Sequence, residues 1–292
     1  MLKFELHLPV TRISDTIIDT LSIGCNKNKT PLSNAQIKSA IQKGALWLSR
    51  RNKTQRIRKL TKTLAADDTL HLYYDELVLS QQPPTAQLIS DQHDYSIWYK
   101  PYGMLSQGSK WSDHCTIARW AETQLKPQRP AFIVHRLDRA ASGLIIIAHS
   151  KKANKAFSHL FEQHLLSKHY RIICHGQLMK LDEQNEWRVT TPIDSKCAES
   201  RFAPIEYSSV LDMSLMDVEI VSGRKHQIRK HAASIGIPVV GDRLHGDKEK
   251  LEQAINLQLC AVSLAFDCPL SQQHQTFTLP EELQPSLSKL AK

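Results

Sequence analysis

His135-Arg-Leu-Asp-Arg-Ala-Ala-Ser-Gly143 stands between two apolar runs, Ala131-Phe-Ile-Val134 and Leu144-Ile-Ile-Ile-Ala148. Both runs are short and rich in residues that favour buried strands. The segment between them is then a polar loop at a sheet end, where catalytic groups commonly sit on a rigid scaffold. Asp138 lies at its centre, flanked by Arg136 and Arg139. A single aspartate so placed can equally form a surface ion pair or cap a turn, so the loop alone does not decide its role.

Working outward, Ser150 can cap a helix whose apolar stripe is Ala153, Ala156, Phe157, Leu160 and Phe161. Upstream, Tyr95-Ser-Ile-Trp-Tyr99 reads as a strand followed by a turn at Lys100-Pro-Tyr-Gly-Met-Leu105. Downstream, His169 to His175 is strand-like, with Tyr170 on the face opposite His169 and Arg171. A tyrosine there serves as core filler or as a surface on which a base stacks. Leu215 to Val221 alternates, with Asp217 and Glu219 on the solvent face. Gly223 breaks that strand, and Arg224 to Ile235 reads as a basic helix ending at Gly236. Arg224, His226, Arg229 and Lys230 cluster at its start, a pattern that can grip phosphate without chemistry. His226 and His231 are spaced poorly for two ligands on one helix face, and no HExxH motif occurs, so no metal site is expected. These alternating patterns predict an α+β fold with a mixed, largely antiparallel central sheet flanked by helices.

The charge sits elsewhere. The 292-residue chain has a formal net charge of +9, and Asn26 to Thr63 carries eleven Lys or Arg with no Asp or Glu. The rest of the chain is therefore slightly acidic. A one-signed run of this length is either a solvated face or a polyanion-binding surface. The local pattern favours the second. A helix from about Asp15 to Leu21 ends at Gly24, and Ser33 can cap another over Asn34 to Lys43, with Gly44 following. Lys38 and Lys43 point to solvent, off the stripe Ile37, Ala40 and Ile41. A strand at Ala45-Leu-Trp-Leu48, a basic turn over Ser49 to Arg56 holding Arg50 and Arg51, and a strand over Thr69 to Tyr74 complete the unit. Gln81-Gln-Pro-Pro-Thr-Ala86 is the expected linker. The reading is a small basic RNA-binding module over residues 1–82 and a larger domain over 87–292.

Composition excludes several classes. Hydrophobic residues make up 41% of the chain, enough for a sizeable core. The longest apolar stretch, Leu144 to Ala148, is far short of the roughly 20 residues a membrane helix needs. The N-terminus is not a secretory signal. Six cysteines without CxxC spacing read as reduced thiols in a cytoplasmic protein. The HRLD tetrapeptide is not a kinase motif, because no DFG or Gly-rich phosphate loop accompanies it, and no GxSxG elbow is present.

Taken together, HRLDxxxSG, KxYxxxxxG and SGRxHQIRxH…GxPVVGD resemble the RluA-type family of RNA pseudouridine synthases over about residues 95–266. The leading module resembles the small RNA-binding unit first known from ribosomal protein S-four. The resemblance implies an isomerase that detaches uracil from ribose, rotates it and rejoins it through carbon 5, with no cofactor or metal. It implies that Asp138 is the catalytic carboxylate, that Tyr170 packs on the base and helps move the carbon 5 proton, and that Arg229 pairs with Asp138. It also implies that Arg136 fills the gap left by the flipped uridine. Arg139, Arg224 and His226, with Lys38, Lys43, Arg50 and Arg51 of the module, are the expected RNA contacts. The partner is RNA, with large-subunit ribosomal RNA favoured over transfer RNA; no membrane is involved, and a monomer is expected. Ala141 stands where the family commonly has Thr. The competing classes are a non-catalytic RNA-binding or ribosome-assembly factor and a DNA-binding regulator. Intact Asp138 favours the enzyme over the first, and the lack of a helix-turn-helix disfavours the second.

Overall fold

The computed structural model describes residues 1–11, 16–178, 186–246 and 255–290. The chain forms two compact units. One holds Met1–Pro83 with Gln107–Trp120, and the other holds Pro84–Ser106 with Ala121–Lys292. The sequence places residues 107–120 in the larger part, but they pack in the first unit. The acid of Asp113 draws them there. It pairs with Arg56 at 2.6 Å and with Arg58, and the Trp47 indole N–H donates to the Lys110 carbonyl at 3.0 Å.

The first unit contains strand β1 (Lys3–Pro9), helices α1 (Ile17–Lys27) and α2 (Asn34–Gln42), strands β2 (Leu46–Arg50), β3 (Lys53–Arg56) and β4 (Thr69–Asp75), and the short helix α3 (Glu76–Ser80). The strands form one antiparallel sheet in the order β1-β4-β2-β3. Capping boxes start both longer helices, Thr16 with Asp19 and Ser33 with Gln36. Helix α1 runs past Gly24, where the sequence suggests a stop, while Asp15 lies outside the described residues. Gly24 is there for close packing, since a Cβ would meet Leu8 Cδ1 at 2.3 Å. The expected basic turn over Ser49 to Arg56 is instead a hairpin of β2 and β3. Its two-residue tip, Arg51-Asn52, places Arg51 in the left-handed region at φ 47°. Ile37, Ala40 and Ile41 face the core with Leu21, Leu46, Leu48, Leu70 and Leu72.

The second unit contains β5 (Gln87–Asp91), β6 (Tyr95–Lys100), the second half of helix α4 (Ile117–Gln124), β7 (Phe132–Ile133), β8 (Ser142–Ala148), α5 (Lys151–Glu162), β9 (Leu166–His175), β10 (Trp187–Val189), β11 (Ser200–Ser208), β12 (Met213–Ile220), α6 (Gln227–Ser234), β13 (Leu259–Asp267) and β14 (His274–Thr278). Its main sheet runs β10-β11-β12-β9-β13-β8-β6-β5, with β14 on β13 and β7 on β8. Only the β13–β8 pairing is parallel among the described residues. The fold is α+β with a mixed, largely antiparallel sheet. Helix α5 lays Ala153, Phe157 and Leu160 on Ile146, Leu264 and Phe266 of one core cluster. Ile228 and Ala232 of α6 pack in another with Ile172, Met216 and Val218.

Where β8 begins, Gly143 (φ 113°) lies so close to β13 that a Cβ would strike the Ala261 backbone at 2.3 Å. That approach fixes the exit of the polar loop. Its entry is held by His135, whose Nε2 accepts from the Ile146 N–H at 2.9 Å while its ring stacks on Phe161. Burial pulls the His135 pKa down to about 3, so the imidazole stays neutral and able to accept. Between these ends, Ser106 Oγ donates to the Leu137 carbonyl at 2.7 Å and accepts the Leu137 N–H at 3.0 Å.

Lys100 completes the fastening. Its side chain is fully buried, and Nζ donates to the carbonyls of Ala141 (2.6 Å), Met104 (2.9 Å) and Pro101 (3.2 Å). Burial pulls its pKa down to about 7, against the pull of the Asp138 carboxylate. Only the ammonium form supplies all three carbonyls. Lys100→Met should leave them without that donor, at about 1–3 kcal/mol for each buried group left unsatisfied. Even at the low end of that range, about 3 kcal/mol for the three carbonyls, the melting temperature should fall by at least about 6–12 °C, at roughly 2–4 °C per kcal/mol for a domain of this size. An unchanged melt would show that the ammonium does not hold the loop. The sign of the pH effect also follows. The unfolded chain binds this proton more tightly than the folded one, so Lys100 makes stability rise as pH climbs from about 7 toward the free-lysine value of about 10.4.

Candidate active site

The fastened loop presents Asp138 to a cavity walled by Leu137, Ala141, Tyr170, Ile220, Ile228 and Leu259, with Arg136, Arg224 and His226 also lining it. The Asp138 side chain is 30% exposed, enough to meet a ligand while remaining within reach of buried partners. Ala141 is buried in the apolar cluster behind the loop.

Arg229 sits in α6 with its guanidinium nearly fully buried. Its Nη1 lies 3.4 Å from Asp138 Oδ2. Its other two nitrogens form a fork on Asp242, Nε to Oδ2 at 2.8 Å and Nη2 to Oδ1 at 2.5 Å. Asp242 also accepts the N–H groups of Leu244 at 2.9 Å and His245 at 3.1 Å. Burial opposes its charge, but these donors outweigh that and hold its carboxyl below the usual range. Burial likewise opposes the Arg229 charge, but the two carboxylates outweigh it and hold its pKa above the usual value. The sequence pairs Arg229 with Asp138 alone; the stronger partner is Asp242, the last residue of GxPVVGD. A lone aspartate after a glycine carries no sign of a partner on a preceding helix.

Tyr170 lies on β9 at the centre of the sheet, opposite Val218 of β12 and Ala261 of β13. Its half-buried ring lines the cavity. Burial, and then the Asp138 carboxylate, push its pKa upward, so it stays a phenol. The helix expected from Arg224 begins only at Gln227. Gln227 Oε1 accepts from Ser222 Oγ (2.7 Å) and the Arg224 N–H (3.0 Å), which folds residues 222–226 into a turn. Arg224 is drawn to the Cys197 carbonyl at 3.1 Å. His226, expected as an RNA contact, faces the carboxylate, with Nε2 3.7 Å from Asp138 Oδ2 and Nδ1 2.9 Å from His245 Nε2. Arg136 is exposed at the cavity, and Arg139 is exposed with Nε on the Gly103 carbonyl at 3.2 Å. Among the described residues no three His, Cys, Asp or Glu side chains converge to hold a metal, and no helix is long and apolar enough to cross a membrane.

In the first unit the expected RNA contacts divide. Lys38 and Arg51 are exposed. Lys43 and Arg50 are held by the unit itself. Lys43 Nζ donates to the Leu79 carbonyl at 2.5 Å, and Arg50 makes a fork on buried Asp68, Nε to Oδ1 at 2.8 Å and Nη2 to Oδ2 at 2.6 Å. The hairpin tip leaves a hollow lined by Arg50, Arg51, Asn52, Lys53 and Gln55.

Comparison with known proteins agrees with this geometry. Residues 94–234 match the family described as RNA pseudouridylate synthase. The dual-specificity RNA pseudouridine synthase RluA of Vibrio cholerae is 32% identical over 200 residues, which span 64% of this chain and 79% of that protein. RluA of Salmonella typhimurium is 30% identical over 213 residues, spanning 69% of this chain and 95% of that one. Among solved structures, human RNA pseudouridylate synthase domain containing 1 shares the fold with a TM-score of 0.58 at 17% identity, over 72% of this chain and 96% of that one. An aspartate in an HRLD loop, an arginine behind it, and these relatives place the chain in one group: it belongs to the RluA-type family of RNA pseudouridine synthases, which are isomerases.

Proposed function

We propose that the protein isomerises specific uridines in structured RNA, first of all large-subunit ribosomal RNA, with Asp138 as the catalytic carboxylate. The observation that carries this reading is a carboxylate at a cavity mouth, held through one oxygen by a buried arginine. In the reaction the bond from N1 to the sugar carbon breaks and the bond from carbon 5 to that carbon forms. The proton leaves carbon 5 and one is gained at N1, so nothing is added or lost. An ionised carboxylate suits either covalent attack or stabilisation of positive charge on the sugar. Arg229 faces the carboxylate with one nitrogen, and its fork on Asp242 fixes the angle from which it does so.

The apolar wall fits a flat, uncharged base that has left its stack. Tyr170 packs on that base. As a phenol it can take the carbon 5 proton only while passing its own onward. Arg136, exposed beside the cavity, fits the role of filling the space the uridine vacates. The first unit serves as an RNA-binding module. Its grip is assigned to the exposed cations Lys27, Lys29, Lys38, Arg51, Lys53 and Lys59 rather than to Lys43 and Arg50.

Pseudouridine mapping in total RNA tests the reading. A deletion strain should lose one or more sites, restored by the wild-type gene and not by Asp138→Ala. Loss confined to transfer RNA would move the substrate there, and no lost site at all would leave an RNA-binding factor. In purified enzyme, Asp138→Ala should abolish product while RNA binding stays near intact; single-turnover product from this folded variant would remove Asp138 from its role. Tyr170→Phe should keep RNA affinity and slow the reaction by roughly 10²–10⁴, the usual worth of a proton-transferring group. A rate within twofold of wild type would leave the ring with packing alone. Lys38→Glu, Arg51→Glu and Lys53→Glu combined should flatten the salt dependence of RNA binding by about 2 in log–log slope, at about 0.7 per lost contact on a single strand. An unchanged slope would take the grip away from this face.

A further inference from the structure

His226 occupies an unusual place. It is the N-cap of α6 yet makes no capping hydrogen bond, and its backbone is left-handed at φ 56°, ψ 28°. Side chains with a Cβ rarely adopt that conformation. Here it turns both ring nitrogens away from the helix end, Nδ1 to His245 and Nε2 to Asp138. We propose that His245 and His226 form a relay that positions the catalytic carboxylate: His245 donates to His226 Nδ1, and His226 thereby presents an Nε2–H to Asp138 Oδ2.

The order of donors follows from electrostatics. A neutral imidazole has one N–H. If His226 donated from Nδ1 to His245, its Nε2 lone pair would face a carboxylate oxygen 3.7 Å away, which is repulsive. With His245 as donor, the Nε2 proton faces that oxygen instead. Arg229 Nη1 approaches the same oxygen at 3.4 Å, so both donors address Oδ2, and no described hydrogen bond reaches Oδ1. The carboxylate is thus clamped by one oxygen and reacts with the other. A gap of 3.7 Å is wider than a hydrogen bond, and contacts of this kind often tighten once substrate is bound.

The charges around the pair keep it neutral. Burial lowers the His226 pKa; Arg229, His245 and Lys225 lower it further, and only Asp138 opposes them. Burial also lowers that of His245, with Arg229 and Lys230 adding to it and Asp242 and Asp138 opposing. The His245 backbone N–H is itself tied to Asp242, so one carboxylate sets both Arg229 and His245. His226 and His245 act here as positioning residues, acting on substrate only through Asp138.

The proposal rests on Asp138 as the catalytic carboxylate, and its test is separable from that reading. In wild-type protein, ¹⁵N shifts of the His226 ring should report a proton on Nε2; a proton on Nδ1 overturns the relay without touching Asp138. His245→Phe should lower the single-turnover rate about tenfold, the scale of a misplaced reacting group, with RNA affinity within twofold. His245→Tyr should recover most of the rate, because a phenol O–H can donate to Nδ1. A His245→Phe rate within twofold of wild type, or a loss that Tyr does not rescue, would each overturn the proposal.

Discussion

The site depends on one buried guanidinium shared between two carboxylates. Arg229 gives its fork to Asp242 and its remaining nitrogen to Asp138. The division is unequal for a reason. Asp242 is almost fully buried and needs its charge matched completely, so it takes two guanidinium nitrogens and two backbone N–H groups. Asp138 is partly exposed, and a single guanidinium nitrogen faces it. One cation thus lies between two anions, bound closely to the inner one and more loosely to the outer one. A lysine could not replace this arginine, because a compact ammonium has no planar fork to hold one carboxylate while reaching the other.

The same economy governs the loop. A polar segment beside an apolar sheet has backbone groups that burial would otherwise leave unsatisfied. Ser106 satisfies both the N–H and the C=O of Leu137, and Lys100 gathers three carbonyls at once. His135 takes the Ile146 N–H at the junction with β8. Each fastening is a single polar side chain, and two of them, Ser106 and Lys100, reach the loop from outside it. Buried polar groups of this kind are weak sources of stability and strong sources of geometry.

The architecture was legible where periodicity was clean. The alternation of Leu215 to Val221 and the apolar runs around the HRLD loop correspond to β12, β7 and β8, and the Ser150 cap starts α5 as expected. Local stop signals were less informative. Gly24 reads as a helix end, yet it lies inside α1, which runs on to Lys27 with Leu8 close against the glycine. The basic residues were legible as charge but not as surface. Arg50 and Lys43 look alike to Arg51 and Lys38 in sequence, and only tertiary partners, Asp68 and the Leu79 carbonyl, separate the held from the exposed. Within the site, Asp138 and Tyr170 line one cavity and Arg229 reaches Asp138 from behind it, residues that their three motifs carry. Lys100, Asp242 and His245 were hidden because their value lies in partners far away in sequence, which spacing cannot express.

The distribution of polarity then bears on where substrate choice resides. The cavity walls are mainly apolar side chains around one tyrosine, and its charged groups point at each other as much as at a ligand. Such a pocket can tell a base from a sugar or a phosphate, but it carries no means of telling one uridine in an RNA from another. That discrimination has to come from the shape and sequence around the target, read by side chains that are not already committed. Arg136 and Arg139 at the loop are exposed, as are the cations of the hairpin tip and of α2. The side chains that position the chemistry are therefore largely distinct from those available to choose the site.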